Sequence, residues 1–401
     1  MQQTLRLVLI ADTFPPLCTS GAVQLRDLAR EFVHQGHLVT VMLPDADIKN
    51  WWSIEDMDGI RVIRLKSLRT KNIDYVRRTL GEFLMPYAMR YSLKKSPLAN
   101  EKWDGVVWYS PSIFHGPLVQ WLKTKNACKS YLIIRDIFPE WAVDMGLMSR
   151  GLLYRGFNAI AQYQYSVADV IGVQTPGNLS YFKSWIERPA RRLEVLQNWL
   201  AKPANRKSRI CLDKTGLIGR KIFVYAGNMG VAQGIDILIA LAEKFNDRSD
   251  VGFVFVGRGS ETKKLKNLVA EKQLENVLFF DEIHPDEIPD LYSQCCVGML
   301  SLDPRHKSHN IPGKFLTYMQ SGLPVLANVN AGNDLAAIIR NELVGQVCES
   351  NKVDELYLLA NRLLAQIDED PTLSNRCLAL FEREFSSKKA VEQIAEVFYS
   401  A

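Results

Sequence analysis

The chain has 401 residues, of which 47% are hydrophobic and 23% are charged, a composition typical of a globular protein with more than one core. Two domains are therefore expected. Its seven cysteines are scattered without CxxC spacing or histidine clusters, so neither a disulfide framework nor a zinc site is predicted. The apolar start LRLVLIA runs into Asp12 instead of a cleavage site, and no run reaches the roughly 18 apolar residues of a membrane-spanning helix. We expect a cytoplasmic protein whose membrane contact is at most peripheral.

The first half alternates short apolar runs with amphipathic ones, which indicates βαβ units and a parallel sheet. Strands are predicted at 5–11 and 38–43. Between them, apolar residues recur at helical spacing from Ala22 to Val33, and this helix is expected to stop at Gly36. Further strands are predicted at 105–109, 130–135 and 169–175.

A polar, basic linker at 201–209, AKPANRKSR, leads into a second half with the same alternation. Its strands are predicted at 221–227, 251–257, 276–282, 297–302, 324–329 and 344–349. This half is therefore expected to form a second doubly wound sheet. No GxGxxG follows the first strand and no GxxxxGK[ST] occurs, which argues against a nicotinamide dehydrogenase and a P-loop enzyme.

Ligands of such sheets bind beyond the carboxyl ends of the strands, where loops lead into helix N-termini. One such helix is predicted to begin at about Ile311 to Gly313 and to stop at Gly322. Its first turn combines free amides with Lys314, a combination that favours a bound phosphate. The alternative is a lysine on a solvated helix start.

The segment 61–95 is strongly basic, with ten Lys or Arg residues against two acids in a chain whose net charge is only +5. Its apolar residues, among them Phe83, Leu84, Met85 and Tyr87, interleave with the cations. This mixture suits an anionic membrane surface. No recognised nucleic-acid module accompanies it, so no nucleic-acid partner is predicted. The alternative is a basic rim around an ordinary core helix.

Four segments resemble, in order, motifs of one enzyme family: FPPLCTSGAVQLRDLAREFVHQGHLVTV, VYAGNMGVAQGIDILIALAEKF, FVFVGRGS and FLTYMQSGLPVLA. The family is the family 4 glycosyltransferases, and the resemblance runs over nearly the whole chain. It implies an α/β GT-B fold, with two doubly wound Rossmann-like domains facing each other across a cleft. The expected domains are an acceptor-binding domain at 1–203, with a C-terminal helix at 386–401 packing back on it, and a nucleotide-sugar-binding domain at 210–385.

The chain departs from that family at its usual donor contacts. Two glutamates eight positions apart are replaced by His309 and Thr317, and the diphosphate-binding Arg and Lys correspond to Asn228 and Gln233. The elements GNMGVAQG, RDIFPEWA and IPGKFLTYMQSG are similar to a subgroup that makes bacterial surface polysaccharides. That subgroup, the WbuB-like transferases, is associated with N-acetyl-L-fucosamine transfer in O-antigen assembly.

Glycosyl transfer builds negative charge on the departing diphosphate, so positive potential is needed there. With the usual cations replaced, Lys314 is the best remaining candidate. Thr317 either hydrogen-bonds the ribose or packs, and Arg258 either reaches the nucleotide or remains a solvated turn residue. The predicted donor-binding residues are Gly21, Gly227, Asn228, Gly230, Gln233, Arg258, Gly313 and Thr317.

Asp136 and Glu140 follow an apolar strand of the first half, where carboxylates are expected beside the ligand. They either act on the acceptor or serve as a cap or ion pair with Arg135. His115 has the same two alternatives at a helix start. The predicted catalytic residues are Lys314, Asp136 and Glu140, and the acceptor-side residues are His115 and Arg135.

The resemblance implies a retaining glycosyltransferase without metal or cofactor, in which the donor phosphate itself takes the acceptor proton. We expect a UDP-sugar donor and a lipid-linked sugar acceptor, at the inner face of the cytoplasmic membrane and in O-antigen or capsule synthesis. One alternative is a UDP-sugar 2-epimerase of the same fold, which would act on donor alone. Another is a non-catalytic sugar-binding protein, which would release no UDP with any acceptor.

Overall fold

A computed structural model describes residues 3–17, 19–70, 73–144, 146–188, 190–203, 206–303 and 311–399. It divides the chain into two compact units, Met1–Ala201 with Ser387–Ala401, and Lys202–Ser386. Each unit is built around one sheet whose apolar strands are covered by helices. His309, which the sequence aligns with a family glutamate, lies outside the described residues.

The strands of the first unit are β1 (Arg6–Ile10), β2 (Leu38–Asp45), β3 (Trp52–Met57), β4 (Ile60–Lys66), β5 (Gly105–Tyr109), β6 (Lys129–Ile134), β7 (Val170–Val173) and β8 (Arg192–Val195). Those of the second are β9 (Lys221–Ala226), β10 (Val251–Val256), β11 (Val277–Phe280), β12 (Val297–Ser301), β13 (Val325–Asn328) and β14 (Gly345–Cys348). The sheet orders are β3-β4-β2-β1-β5-β6-β7-β8 and β11-β10-β9-β12-β13-β14. Every predicted strand is present, within a few residues of its expected bounds.

The helices are α1 (Ser20–His34), α2 (Tyr75–Lys94), α3 (Gly116–Asn126), α4 (Glu140–Asp144), α5 (Leu152–Val167), α6 (Lys183–Ile186), α7 (Asp236–Lys244), α8 (Thr262–Glu271), α9 (Ile288–Tyr292), α10 (Gly313–Gln320), α11 (Asp334–Glu342), α12 (Val353–Glu369), α13 (Leu373–Leu380) and α14 (Ser387–Tyr399). Helix α10 begins where the sequence predicts. It is followed by Gly322 at φ +68°, a conformation that favours glycine.

A hairpin at the edge of the first sheet was not predicted. β3 pairs antiparallel with β4, whereas the other strand pairs are parallel. The turn between them holds Asp58 and Gly59 at φ +56° and +81°, the backbone that an Asp-Gly hairpin turn requires. The Asp58-Gly59 dipeptide is the feature of the sequence from which this hairpin could have been predicted. As a result, part of the basic segment 61–95 is a sheet strand, with Val62 and Ile63 fully buried.

The sheet of the first unit is buried on both faces, as parallel sheets usually are. Successive residues of β1 point to opposite faces, so Leu7 and Leu9 pack with α1 and α14, while Val8 and Ile10 pack with α2, α3 and α5. Helix α14 therefore completes the core of the unit at the other end of the chain. Its Phe398 ring lies on Gly105, where a Cβ atom would approach the ring to 2.5 Å.

We expect Phe398→Ala to lower the free energy of unfolding of the first unit by about 3–5 kcal/mol, because it removes a ring that is 5% exposed and leaves a cavity over β5. Urea denaturation followed by tryptophan fluorescence measures the change. Leu358→Ala on α12, whose side chain is 59% exposed, is the control and should change it by at most about 0.5 kcal/mol. Equal effects of both variants would contradict the role of α14.

Candidate functional site

In the second unit, the loops after β9 and β10 are joined by backbone hydrogen bonds. The amide of Met229 donates to the carbonyl oxygen of Arg258 at 2.8 Å, and the amide of Glu261 donates to that of Met229 at 3.0 Å. Gly227 and Gly257 have φ values of +134° and +141°, and a Cβ atom on Gly257 would lie 2.1 Å from the Gly227 carbonyl oxygen. Only glycine fits this approach. The loop containing Gly230 is therefore held in one position at the carboxyl edge of the sheet.

Lys314, in the first turn of α10, lies against this loop. Its ammonium Nζ is 4.8 Å from the centre of the Tyr225 ring, and a Cβ atom on Gly227 would lie 2.8 Å from its Cε. Burial lowers the pKa of Lys314 to about 8. No carboxylate pairs with it in the part of the chain that the structure describes. A partly desolvated cation at a helix N-terminus beside glycine amides is suited to binding phosphate.

Two residues that replace the family's cations bond to each other. The side-chain amide of Asn228 donates to Oε1 of Gln233 at 3.1 Å, and the amide of Gly230 donates to the same oxygen at 3.0 Å. The pair is neutral, so it orders the loop without adding positive charge. Lys314 is therefore the cation that the described residues place against this loop.

The remaining donor-side residues have partners within the unit. Arg258 forms an exposed ion pair with Glu282, with 2.9 Å between Nε and Oε2. The Thr317 hydroxyl donates to the Gly313 carbonyl oxygen at 3.1 Å, one helical turn back. Gly313 is exposed, with no atom within 4 Å of where a Cβ would stand. Binding of a nucleotide by Arg258 or Thr317 stays a prediction.

In the first unit, a group of polar side chains lies at the carboxyl edge of the adjacent strands β1, β5 and β6. Tyr109 ends β5, and burial raises its pKa, against the opposing effect of Arg135. The charges of Asp12 and Asp136, which follow β1 and β6, also act on Tyr109. Burial raises the pKa of Asp136 as well, while Arg135 opposes that rise. Asp12 and Tyr109 were not predicted as site residues, because their neighbours depend on the strand order.

His115, which immediately precedes α3, belongs to the same group. It is fully buried, and neither ring nitrogen has a hydrogen-bond partner within the structure. Burial lowers its pKa, although the charge of Asp12 opposes the shift, so the imidazole is neutral at pH 7. A buried polar group without a partner is destabilising, and a ligand hydroxyl would relieve this.

Gly21 lies in the first turn of α1, close to the same group. A Cβ atom there would lie 3.4 Å from the Tyr109 hydroxyl and 3.3 Å from Cγ2 of Thr13. The Thr19 hydroxyl caps α1 by accepting from the Ala22 amide at 3.3 Å. The small residue therefore keeps the start of the helix close to the end of β5.

Arg135 and Glu140 have structural partners. The Arg135 guanidinium donates to the carbonyl oxygen of Leu196 at 2.8 Å and lies 4.6 Å from the centre of the Trp199 ring. Glu140 accepts from the Tyr154 hydroxyl at 2.5 Å and pairs with Arg150 at 3.1 Å. Both oxygens of Glu140 are thus engaged, unlike the carboxylate of Asp136. No ion pair joins Arg135 to Asp136 or Glu140 among the described residues.

Helix α2, in the basic segment 61–95, exposes one apolar face. Its side chains recur at helical spacing and are between 38% and 78% exposed: Val76, Leu80, Phe83, Leu84 and Tyr87. The expectation that Met85 is on this face is wrong, because Met85 is 2% exposed and packs with Met89 and Leu93 in the core. Arg77 and Arg78 flank the exposed face, with side chains 82% and 54% exposed.

No helix among the described residues is both long enough and apolar enough to cross a membrane. Within the same residues, no group of three or more His, Cys, Asp or Glu side chains is placed to hold a metal ion. Metal independence stays a prediction.

Comparison with known proteins identifies the second unit. Residues 220–366 match the family model "Glycosyl transferases group 1". The chain is 26% identical over 229 residues to a probable glycosyltransferase WbjE of Pseudomonas aeruginosa, covering 56% of each protein. It is 23% identical over 278 residues to a putative colanic acid biosynthesis glycosyl transferase WcaI of Escherichia coli K12, covering 63% of this chain and 62% of that one. The matched segment spans less than two thirds of either relative.

Solved structures match over the whole chain. Sucrose-phosphate synthase from Thermosynechococcus elongatus has a TM-score of 0.70 and 16% identity, covering 99% of this chain and 98% of that one. Anabaena HepE in complex with UDP and glucose has a TM-score of 0.66 and 15% identity, covering 99% and 100%. At these identities the likeness shows the fold, which is GT-B, as predicted. The chain therefore has the GT-B fold, and its residues 220–366 match the group 1 glycosyltransferase model.

Proposed function

We propose that the protein is a retaining glycosyltransferase that moves a sugar from a UDP-sugar to a lipid-linked saccharide in the assembly of a bacterial surface polysaccharide. The observation that carries the proposal is Lys314, a partly buried lysine that has no carboxylate partner among the described residues and lies at a helix start within the segment that matches the group 1 glycosyltransferase model. Two relatives named as glycosyltransferases support the activity, and the one named for colanic acid biosynthesis supports the pathway. UDP is favoured because HepE, of the same fold, was solved with UDP and glucose.

In this reaction the main contribution of the protein is a fixed positive charge beside the departing diphosphate. The acceptor oxygen forms a bond to the anomeric carbon while the bond from that carbon to the donor phosphate breaks, and the acceptor proton passes to a phosphate oxygen. Negative charge grows on the departing diphosphate, where Lys314 and the amide of Gly313 at the start of α10 stabilise it. Neither a metal nor a protein base is required in this scheme. Asp136 and His115 orient the acceptor in the first unit.

The first test is a thermal-shift screen with UDP, ADP, GDP and their sugars, because a ligand that binds only the native state raises the unfolding midpoint. UDP-N-acetyl-L-fucosamine is the first donor to assay for transfer, on the strength of the subgroup resemblance. A UDP-sugar incubated without acceptor should remain largely unchanged. Its epimerisation would overturn the proposal in favour of a 2-epimerase.

Lys314→Ala should lower turnover by about one to two orders of magnitude, because a charge-assisted contact to a desolvated phosphate contributes about 1.5–3 kcal/mol. UDP release with donor and acceptor present measures it. Lys263→Ala, which removes an exposed lysine on α8, is the matched control and should keep wild-type turnover. Near-normal turnover of the Lys314 variant would remove this residue from the site.

The affinity for UDP should fall as the pH rises above about 8. Bound diphosphate raises the pKa of Lys314 above its value in the free protein, so above about 8 binding must take up a proton. Calorimetry at a series of pH values measures the slope. Lys314→Met should bind UDP more weakly and lose the slope. A slope that persists in Lys314→Met would show that another group titrates.

Asp136→Asn should impair sugar transfer while leaving UDP affinity unchanged, because Asp136 lies in the unit without the nucleotide-binding loops. Initial rates at varied acceptor concentration and calorimetry with UDP separate the two effects. Glu140→Gln is the comparison within the same loop and should have the weaker effect, since Arg150 and Tyr154 already engage its oxygens. A loss of UDP affinity in Asp136→Asn with normal acceptor kinetics would contradict this assignment.

We further propose that the exposed face of α2 docks on an anionic membrane surface. The apolar side chains supply burial at the headgroup boundary, and the flanking arginines supply attraction of about 1 kcal/mol per well-placed cation. Exposed apolar side chains also occur on α5, where Tyr163 is 45% exposed and lies near Tyr87. Leu152 and Leu153 at the start of α5 are 86% and 64% exposed.

Vesicle co-sedimentation should show binding that requires anionic lipid and weakens as salt shortens the screening length. Changing Arg77, Arg78, Lys94 and Lys95 together to Gln should reduce it, and so should Phe83→Glu. Leu358→Glu, an equally exposed apolar position in the second unit, is the control and should bind normally. Equal pelleting with neutral and anionic vesicles, or none with either, would refute the docking proposal without affecting the glycosyltransferase proposal.

A further inference from the structure

The first unit contains a cavity of about 540 Å³ at the carboxyl ends of β1, β2 and β4. This is within the range of small-molecule sites, about 300–1,000 Å³. Its apolar lining includes Phe14 and Leu43, which are buried, and Leu17 and Leu68, which are 44% and 46% exposed. Such a wall of carbon atoms can pack against the C–H face of a pyranose ring.

The polar lining is fixed in place by its own partners. Arg69 pairs with Asp47 at 2.5 Å, and the amide of Asp47 donates to a carboxylate oxygen of Asp45 at 2.9 Å. Arg64, whose side chain is 20% exposed, donates to the carbonyl oxygen of Pro15 at 2.8 Å. Each carboxylate keeps further acceptor positions, since an ionised carboxylate offers about four. Polar groups arranged in this way can orient a ligand through hydrogen bonds.

The charge of the cavity favours a neutral polyhydroxyl ligand over a phosphate. Its lining includes the carboxylates of Asp12, Asp45 and Asp47 against the guanidiniums of Arg64 and Arg69. The guanidiniums already have acidic partners, so a phosphate would face carboxylates without a spare cation. Sugar hydroxyls, in contrast, can donate to the carboxylates and accept from the guanidiniums.

Asp12 connects the cavity to the group around His115. It lines the cavity, and its charge acts on both His115 and Tyr109. His115 is the fully buried residue whose ring nitrogens have no hydrogen-bond partner. A sugar ring in the cavity would thus have one end near His115, which we propose orients the acceptor.

We infer that this cavity binds a pyranose ring of the acceptor saccharide, with Asp12 contacting one of its hydroxyls. That the bound sugar is an acceptor substrate rests on the proposed function. Binding of a neutral sugar ring is argued from the lining of the cavity alone. It assigns roles to Asp12, Asp47 and Arg69, which the motif resemblance does not include. The lipid-linked sugar would therefore be recognised through its carbohydrate in this cavity.

The test is saturation-transfer NMR with the full chain and the methyl glycosides of glucose, galactose, N-acetylglucosamine, N-acetylgalactosamine and fucose. At least one should receive saturation from the wild type. Ala46→Trp, which fills the cavity, should abolish the signal, and Asp47→Ala should weaken binding about tenfold through loss of charge-assisted hydrogen bonds. Ala379→Trp, at an exposed position on α13, is the control and should leave it unchanged.

UDP-induced thermal stabilisation, measured on the same samples, shows that each variant is folded and keeps the two proposals separate. The Asp47 side chain is 77% exposed, so Asp47→Ala remains informative even if Ala46→Trp fails to fold. Absence of a signal from every glycoside, or a signal that Ala46→Trp and Asp47→Ala retain in full, would overturn the inference. Glycoside binding without any UDP stabilisation would overturn the proposed function and leave the cavity assignment standing.

Discussion

A parallel sheet places the carboxyl ends of its strands along one edge, and in this chain that constraint decides which side chains share a site. β1, β5 and β6 are adjacent in the sheet although they are far apart in sequence. Asp12, Tyr109 and Asp136 follow or end these strands, so they act on one another electrostatically. In the second unit, β9 and β10 are neighbours as well, and their loops form the glycine-rich surface on which Lys314 lies.

The strands could be predicted because a strand covered on both faces needs an uninterrupted apolar run. β9 and β10 read as such runs and are fully or almost fully buried. The edge hairpin β3–β4 could not be predicted on that basis, since β3 is half exposed and its residues are mixed in polarity. The orientation of helix α2 could be predicted only in part. Its composition suggested both a core face and an exposed apolar face, but only the packing of Met85 and Met89 shows where one ends and the other begins.

The candidate site likewise contains features that local sequence predicts and features that depend on tertiary packing. The position of Lys314 in the first turn of a helix could be predicted from sequence, because it depends on local helix chemistry in which proline and glycine mark the helix start. The association of Asp12 with His115, and of Lys314 with the Tyr225 ring, depends on strand order and loop packing, which no local pattern encodes. The acceptor-side role of Arg135 stays a prediction, and its structural partners could not be predicted from sequence either. A charged residue beside a site can be held by the backbone, as Arg135 is by Leu196 and Trp199.

The replacement of two family cations by Asn228 and Gln233 changes the electrostatics of the donor loop. Two fixed positive charges beside Lys314 would depress its pKa further and would also share the charge of a bound diphosphate. The neutral pair instead holds the Gly230 amide in place and adds no charge beside Lys314, the residue that we propose binds the phosphate. A carboxylate next to Lys314 would raise the pKa of the lysine and neutralise its field. Burial instead lowers this pKa to about 8, which is still high enough for the ammonium to be charged at pH 7. The same removal from water that lowers the pKa also strengthens the attraction of the ammonium for an anion, because the effective dielectric constant is smaller there. Partial burial would therefore strengthen the contribution of Lys314 to binding a diphosphate, if this loop binds one as proposed.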